Sequence, residues 1–322
     1  MKKFGLAMTA MLLAVSMTAC ASNPSDSGEQ KLQIGIIQPA EHAALDSARE
    51  GFVDTLADHG YVDGETIEID YQNAQGDSSA LLTISQRFVG DDCDLVLAIG
   101  TGAAQSIASQ TSEIPVLITA VTDPVDAGLV QSNEAPGTNI TGTNDMNPIR
   151  EQMELIREFL PDVQTVGLLY TSSEDNSALQ IQEVKAVLEE MNVGYVEQTV
   201  TGSNDVQQAV QSILGKCDAL YIPTDNTLAA SAALVGSAAQ TAKIPVFWGE
   251  GNCVAEGGLA SLGLDYYNLG RQTGEMAVEV LEGADPAVMP IQSQSDYSYT
   301  ISKSMAEEIE IEIPKHLLEF AE

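Results

Sequence analysis

Two stretches of this chain run through the same signals in the same order, and that internal repeat limits the fold more than any other feature. The first reads Cys93-Asp94-Leu95-Val96-Leu97-Ala98-Ile99-Gly100-Thr101, then a helix of small residues, then Ile114-Pro115-Val116-Leu117. The second reads Cys217-Asp218-Ala219-Leu220-Tyr221-Ile222-Pro223-Thr224, again a small-residue helix, then Ile244-Pro245-Val246-Phe247. Upstream of each lies a matching strand and helix, 32–38 with 43–59 and 165–170 with 177–191. The strands are short continuous apolar runs, as expected of parallel strands covered on both faces, and the helices show apolar spacing near 3.6. Alternation of strand and helix predicts an α/β fold, here two doubly wound parallel-sheet lobes in tandem. The length of 322 residues suits two such units.

The lobes are expected to exchange chain three times. Thr138-Asn139-Ile140-Thr141-Gly142-Thr143 reads as a strand that leads to Pro148 and a new helix from Ile149, the first crossing. The stretch 257–264 reads as a strand leading back to a helix over 267–283, and 291–301 as an alternating return strand. The expected division is 32–144 plus 265–285 for lobe 1 and 145–264 plus 286–322 for lobe 2, joined by a three-segment hinge that permits closure around a ligand.

Residues 1–20 have the parts of an export signal: Lys2 and Lys3, an apolar run over 4–17, and small residues before Cys20. The apolar run is short for a membrane span. Met17-Thr18-Ala19-Cys20 resembles the lipobox of bacterial lipoproteins, with Met17 where Leu is usual, and the resemblance implies cleavage before Cys20 and lipidation of that cysteine. Residues 21–31 then read as a flexible polar linker. The expected location is the extracytoplasmic face of the cell membrane, reached through the lipid alone. Lys and Arg total 13 against 47 Asp and Glu, a balance that disfavours nucleic acid and anionic membrane surfaces as partners. Cys93, Cys217 and Cys253 are odd in number and read as buried free thiols. His42, His59 and His316 are widely separated, and no metal or cofactor is expected.

In open α/β sheets the ligand sits beyond the carboxyl ends of the strands. The corresponding loops are 39–42, 100–103 and 120–123 in lobe 1, and 171–176, 224–226 and 249–252 in lobe 2. Arg49, Arg87, Arg150, Arg157 and Arg271 all fall outside them, so a ligand carboxylate would rely on helix N-termini at Thr101-Gly102 and Ser172-Ser173. N-capping is the competing role for Thr101, Ser172 and Ser173. Asp225 and Glu250 end consecutive lobe 2 strands and are candidates for a ligand ammonium, with Asp123 facing them; Asp225 also suits a plain N-cap. Asn176 and Asn226 offer donor and acceptor together. Trp248 and Tyr170, at strand ends, are candidates for stacking on a ligand ring, with packing the alternative for each. Tyr266 and Tyr267 rank behind them.

Several stretches together resemble one family of ABC-transporter substrate-binding proteins: Ile34-Gly35-Ile36-Ile37-Gln38, Thr119-Ala120-Val121-Thr122-Asp123-Pro124-Val125, Asn139-Ile140-Thr141-Gly142, Tyr170-Thr171-Ser172-Ser173-Glu174-Asp175-Asn176-Ser177 and Pro223-Thr224-Asp225-Asn226. Members of that family include tryptophan- and tyrosine-binding lipoproteins. The resemblance implies a periplasmic-binding-protein-like fold of type I, partners in a membrane permease and its ATPase, a place for Thr122 in the binding cleft, and an amino acid, foremost an aromatic one, as ligand. A sugar or another amino acid is the alternative ligand. A membrane-tethered sensor is the alternative role. An enzyme is disfavoured because GxSxG, P-loop and GxGxxG motifs are missing from residues 21–322.

Overall fold

The computed structural model describes residues 31–322. Cys20, the export signal and residues 21–30 of the expected linker lie outside the described residues.

Lobe 1 begins with β1 (Leu32–Gln38), α1 (Ala43–Asp58), β2 (Ile67–Asn73), α2 (Ser78–Gly90), β3 (Leu95–Ile99), α3 (Thr101–Ala108), β4 (Val116–Val121) and β5 (Ile140–Asn144). The chain then crosses into lobe 2, with α4 (Ile149–Phe159), β6 (Thr165–Thr171), α5 (Asp175–Glu190), β7 (Gly194–Val200), α6 (Val206–Leu214), β8 (Ala219–Ile222), α7 (Asn226–Ala229), α8 (Ala232–Ala242), β9 (Val246–Trp248) and β10 (Ala260–Gly263). It returns to lobe 1 through α9 (Tyr266–Leu281) and β11 (Gln292–Ser293), and ends in lobe 2 with β12 (Ser298–Ile301) and α10 (Lys303–Glu308). The sheet orders are β11-β5-β4-β3-β1-β2 and β12-β10-β9-β8-β6-β7. The repeat is therefore a repeat of topology: β1 and β6, β3 and β8, and β4 and β9 hold equivalent places. All pairings between named strands are parallel except β10 with β12.

The continuous apolar strands serve two cores each. In β3, Leu95, Leu97 and Ile99 join the core beneath α1 and α9, whereas Val96 and Ala98 join the opposite one. In β8, Ala219 and Tyr221 face one side, and Leu220 and Ile222 the other. Successive side chains of a strand point to opposite faces, so only an unbroken apolar run fills both layers.

The third crossing falls later than the sequence division placed it. Residues 286–293 stay with lobe 1: β11 pairs with β5, the Thr141 hydroxyl donates to the Met289 carbonyl at 2.8 Å, and Ile291 is buried in a lobe 1 core. The expected strand over 291–301 is two short strands in different sheets. Gln294, Ser295 and Asp296 between them carry no apolar side chain to hold the chain on either sheet, so the crossing occurs there.

Helix α9 is fixed to lobe 1 by very close packing on α1. A Cβ at Gly270 would lie 1.9 Å from the Ala48 carbonyl oxygen, and one at Gly51 would lie 2.0 Å from that of Tyr267. The two helices touch backbone to backbone, and neither position has room for a methyl group. Gly270→Ala is expected to lower stability by about 1–3 kcal/mol, the usual cost of overpacking. Equilibrium urea unfolding of the variant against the parent checks this.

Candidate functional site

The carboxyl ends of both sheets converge on a narrow cavity between the lobes. From lobe 1 it is lined by His42 at the entry to α1, Leu45, Ala120, Thr122, Asp145 just after β5, and Tyr266 at the start of α9. From lobe 2 come Asn176, Thr224, Asp225, Asn226 and Glu250. A larger groove outside it, sharing Asn176 and Asn226, is lined by Gly102, Gln105, Ser173 and Glu174 among others. The cavity lies beyond the carboxyl ends of the strands, where open α/β sheets hold their ligands.

The cavity wall contains three carboxylates, Asp145, Asp225 and Glu250, and no lysine or arginine. Each is at most 3 % exposed, yet their surroundings differ. Asp225 is saturated by the protein: Oδ2 accepts from the Thr171 amide at 2.6 Å, and Oδ1 accepts from the Thr171 hydroxyl at 2.8 Å and the Leu228 amide at 2.9 Å. It is the N-cap of α7 and ties that helix to β6. Burial, then the neighbouring charge of Glu174, raises its pKa even so. Asp145 is less engaged. Its Oδ2 accepts from the Tyr266 hydroxyl at 2.7 Å, whereas Oδ1 is buried without a partner. Burial pushes its pKa up to about 6 against the lowering effect of the Tyr266 hydrogen bond, and Glu250 adds to the rise. Glu250 Oε1 accepts from the Cys253 thiol at 2.8 Å and lies 3.6 Å from His42 Nδ1, beyond hydrogen-bond reach. Burial first, then Glu250, pushes the Cys253 thiol well up.

Contacts across the cleft join the lobes. His42 Nε2 meets Asn226 Oδ1 at 3.2 Å, Gln105 donates to Asp175 at 3.0 Å, and Gln180 donates to Thr122 Oγ1 at 3.4 Å. Glu174 lies behind Asn226 and accepts from the amides of Asn226 and Thr227, both at 2.9 Å. It occupies the N-terminus of α7 that a ligand anion would otherwise find.

The N-terminus of α3 is open by contrast. Its N-cap is Gly100, at φ 86°, which supplies no side chain, and the buried Thr101 hydroxyl has no partner. A Cβ at Gly100 would lie 3.3 Å from Pro39 and 3.9 Å from Asn226 Oδ1. The positive φ and the crowding both favour glycine there. The first-turn amides of α3 have no intrahelical acceptor and sit beside a cavity residue.

Four expected site residues are placed differently. Trp248 is 1 % exposed and packs in the core beneath α6 and α8, against Gly258, because alternation along β9 turns it away from the cavity. Tyr170 packs at the rim of the other lobe 2 core and donates to Glu197 at 3.2 Å. Ser172 is exposed and donates to the Val200 carbonyl, and Ser173 is exposed at the outer groove. The start of α5 beside them already carries Glu174 and Asp175 and is unsuited to an anion. Asp123 is likewise used locally, capping the turn at Val125 and Asp126. Sequence reading missed Asp145, whose position after the last regular strand of lobe 1 was read only as a crossing. It also passed over His42 within a loop otherwise identified.

Cys93, Cys217 and Cys253 are buried and unpaired. Among the described residues, no group of three His, Cys, Asp or Glu side chains is arranged to hold a metal ion, and no helix is long and apolar enough to cross a membrane.

Two parallel-sheet α/β lobes sharing a polar, nearly closed cavity define a small-molecule binding protein of the periplasmic-binding-protein-like type. Residues 33–322 match the family model described as ABC transporter substrate binding protein, and the chain belongs to that family. It is therefore the substrate-binding component of an ABC transporter, with a small-molecule ligand and a permease and ATPase as partners, acting outside the cytoplasm. A tyrosine-binding protein from Clostridioides difficile strain R20291 is 39 % identical over 322 residues, covering 97 % of this chain and 93 % of that one. The crystal structure of an ABC domain in complex with L-Trp from Streptococcus pneumoniae is 40 % identical, with a TM-score of 0.87, covering 91 % of this chain and 99 % of that one. The ligand-free, open structure of a substrate-binding protein with adhesive properties from Clostridium difficile is 42 % identical but has a TM-score of 0.67, covering 88 % and 96 %.

The raised pKa of Asp145 fixes a sign. In the folded state it binds its proton more tightly than in the unfolded chain, so its contribution favours folding at low pH and is lost as pH rises from about 4 through about 6. The difference amounts to roughly 3 kcal/mol. Ligand-free protein is expected to lose more stability between pH 5 and pH 7.5 than the Asp145→Asn variant does, as measured by chemical denaturation at both pH values.

Proposed function

We propose that this chain captures an aromatic amino acid outside the cell and delivers it to its permease. The observation that carries this reading is the cavity's unbalanced charge: Asp145, Asp225 and Glu250 line it with no lysine or arginine, His42 is the one basic side chain in the wall, and Asp145 Oδ1 has no hydrogen-bond partner. A buried carboxylate without a counter-charge is costly, and a ligand ammonium removes that cost. Asp145 and Glu250 hold the ammonium; Asp225 shapes the lobe 2 wall. The open N-terminus of α3, with the amides after Gly100 and the Thr101 hydroxyl, suits the ligand carboxylate. Thr122, Asn176 and Asn226 supply further polar contacts, and Gly102 leaves the approach open.

The aromatic preference is supported by the tyrosine-binding relative and the L-Trp complex. Within the cavity, Leu45, Tyr266 and His42 offer the apolar and ring surfaces for such a side chain. The better overlay on the L-Trp complex than on the open structure, at similar identity, supports reading these lobes as closed. We infer also that Cys20 carries the lipid that tethers the protein to the membrane.

Calorimetry of refolded, ligand-free protein against the twenty amino acids and a panel of sugars is expected to give one-to-one binding of tryptophan or tyrosine. Glu250→Gln should weaken it at least tenfold, in line with about 1.5–3 kcal/mol for a hydrogen bond to a charged group. N-acetyl-tryptophan, which lacks the ammonium, should not bind. Tight binding of a sugar with none of any amino acid would contradict the reading. For the anchor, Cys20→Ala should move the protein from the membrane fraction to the medium or periplasm, followed by immunoblotting.

A further inference from the structure

We propose that Glu174 is a positioning residue for lobe closure: by holding the side-chain amide of Asn226 it turns the Asn226 oxygen toward lobe 1, where His42 bonds to it and latches the closed lobes. This rests on reading these lobes as closed, and not on which ligand they close around.

Glu174 is the N-cap residue of α5, yet its side chain makes no capping bond there and turns to the start of α7. Its Oε2 accepts from the Asn226 backbone amide at 2.9 Å and from Asn226 Nδ2 at 2.7 Å, and its Oε1 accepts from the Thr227 amide at 2.9 Å and the Thr227 hydroxyl at 2.8 Å. An ionised carboxylate only accepts, so these bonds decide which end of the Asn226 amide faces Glu174. The other end, Oδ1, points across the cleft and lies 3.2 Å from His42 Nε2. That oxygen also only accepts, which makes His42 Nε2 the donor.

His42 is likewise an N-cap residue, of α1, whose side chain does not cap its own helix. The imidazole is buried, with Nδ1 3.6 Å from Glu250 and without a hydrogen-bond partner, so the bond to Asn226 is the one the ring makes. Of the three side-chain bonds that cross the cleft beside the cavity, it alone has both ends in the cavity wall; Gln105 to Asp175 lies at the exposed rim, and Gln180 to Thr122 is long at 3.4 Å. Glu174 and Asp175 thus serve closure as neighbours, Asp175 by accepting from lobe 1 and Glu174 through Asn226. All four bonds of Glu174 lie within lobe 2 and do not depend on lobe 1. They hold the Asn226 amide in its latching orientation while the lobes are apart, and closure then has one side chain fewer to order. A latch made only after closure acts on ligand release and leaves the encounter rate alone.

The test is a double-mutant cycle between two residues that share no bond, Glu174→Gln and His42→Phe, read as the rates of L-tryptophan association and dissociation by stopped flow. Glu174→Gln keeps the shape but puts a donor among the donors of α7 and frees the Asn226 amide to rotate; His42→Phe keeps the ring and removes its N–H. Each is expected to speed dissociation about five- to tenfold with association within about twofold of the parent. In the double variant dissociation should be no more than about twofold faster than in His42→Phe, because both changes break the same bond. Glu174→Asp, which keeps the charge but not the reach, is carried alongside in case Glu174→Gln does not fold, and should speed dissociation in the same way. Dissociation unchanged in the Glu174 variants, or effects that multiply in the double variant as for a residue that only stabilises α7, overturns the latch. Small-angle scattering of the parent should show compaction on adding ligand; its absence overturns the closed reading of the lobes and the latch with it. If L-tryptophan does not bind the parent, the ligand reading falls by itself, and the same cycle is judged by the same outcomes with the amino acid or sugar that the calorimetric panel identifies.

Discussion

Carboxyl groups taken out of water with no lysine or arginine beside them set the terms for this molecule. Asp145, Asp225 and Glu250 are brought to one enclosure by the ends of β5, β8 and β9, and the protein supplies no lysine or arginine to meet them. Where the fold needs such a group for itself, it saturates it: Asp225 accepts from Thr171 and Leu228, and Glu174 accepts from the amides of Asn226 and Thr227. Those bonds hold α7 against β6 and shape the lobe 2 wall. Where a group is left short, as with Asp145 Oδ1, the deficit is a binding opportunity. The same low dielectric that makes an empty site costly would make the proposed ammonium contact strong.

The scaffold keeps those groups in register. Helix α9 comes after the second crossing yet is locked to α1 by contacts that tolerate only glycine at positions 51 and 270. That lock fixes Tyr266, the first residue of α9, against Asp145 at the first crossing. Two hinge-proximal residues from distant parts of the sequence thus meet at the cavity floor. The bulge at the end of β4, with Ala120 at φ 53° and a register shift against β5, brings the chain to Thr122 at the cavity wall. Irregular backbone of this kind is common beside binding sites, where a side chain must be aimed off the regular pleat.

The architecture was legible because parallel strands buried on both faces leave an unmistakable apolar run, and here the run occurs in a repeated order. Cys93 to Thr101 and Cys217 to Thr224 occupy equivalent strands in the two sheets. The cavity's location followed from topology, and Thr122, Asn176, Asp225, Asn226 and Glu250 all line it. Orientation was not legible to the same degree. Trp248 was read from its place at a strand end, but the parity of β9 turns it into the core, and a strand of three residues gives little pattern from which to read parity. Tyr170 is turned the same way as Val166 and Leu168 on β6, toward the other lobe 2 core. Asp145 was missed because its burial depends on α9, which is 121 residues away in the chain at the contacting Tyr266. The late third crossing was missed because two short strands in different sheets, joined by polar residues, imitate one alternating strand.

A crystal structure of the complex with L-tryptophan tests the central claim most directly. The predicted result is a ligand enclosed between the lobes, with its amino nitrogen within hydrogen-bond distance of Asp145 Oδ1 and Glu250, its carboxylate at the first turn of α3, and its ring beside Tyr266 and His42. A ligand nitrogen bound at Asp225 with Asp145 Oδ1 still unpartnered, or a ligand seated outside the cavity, would contradict it.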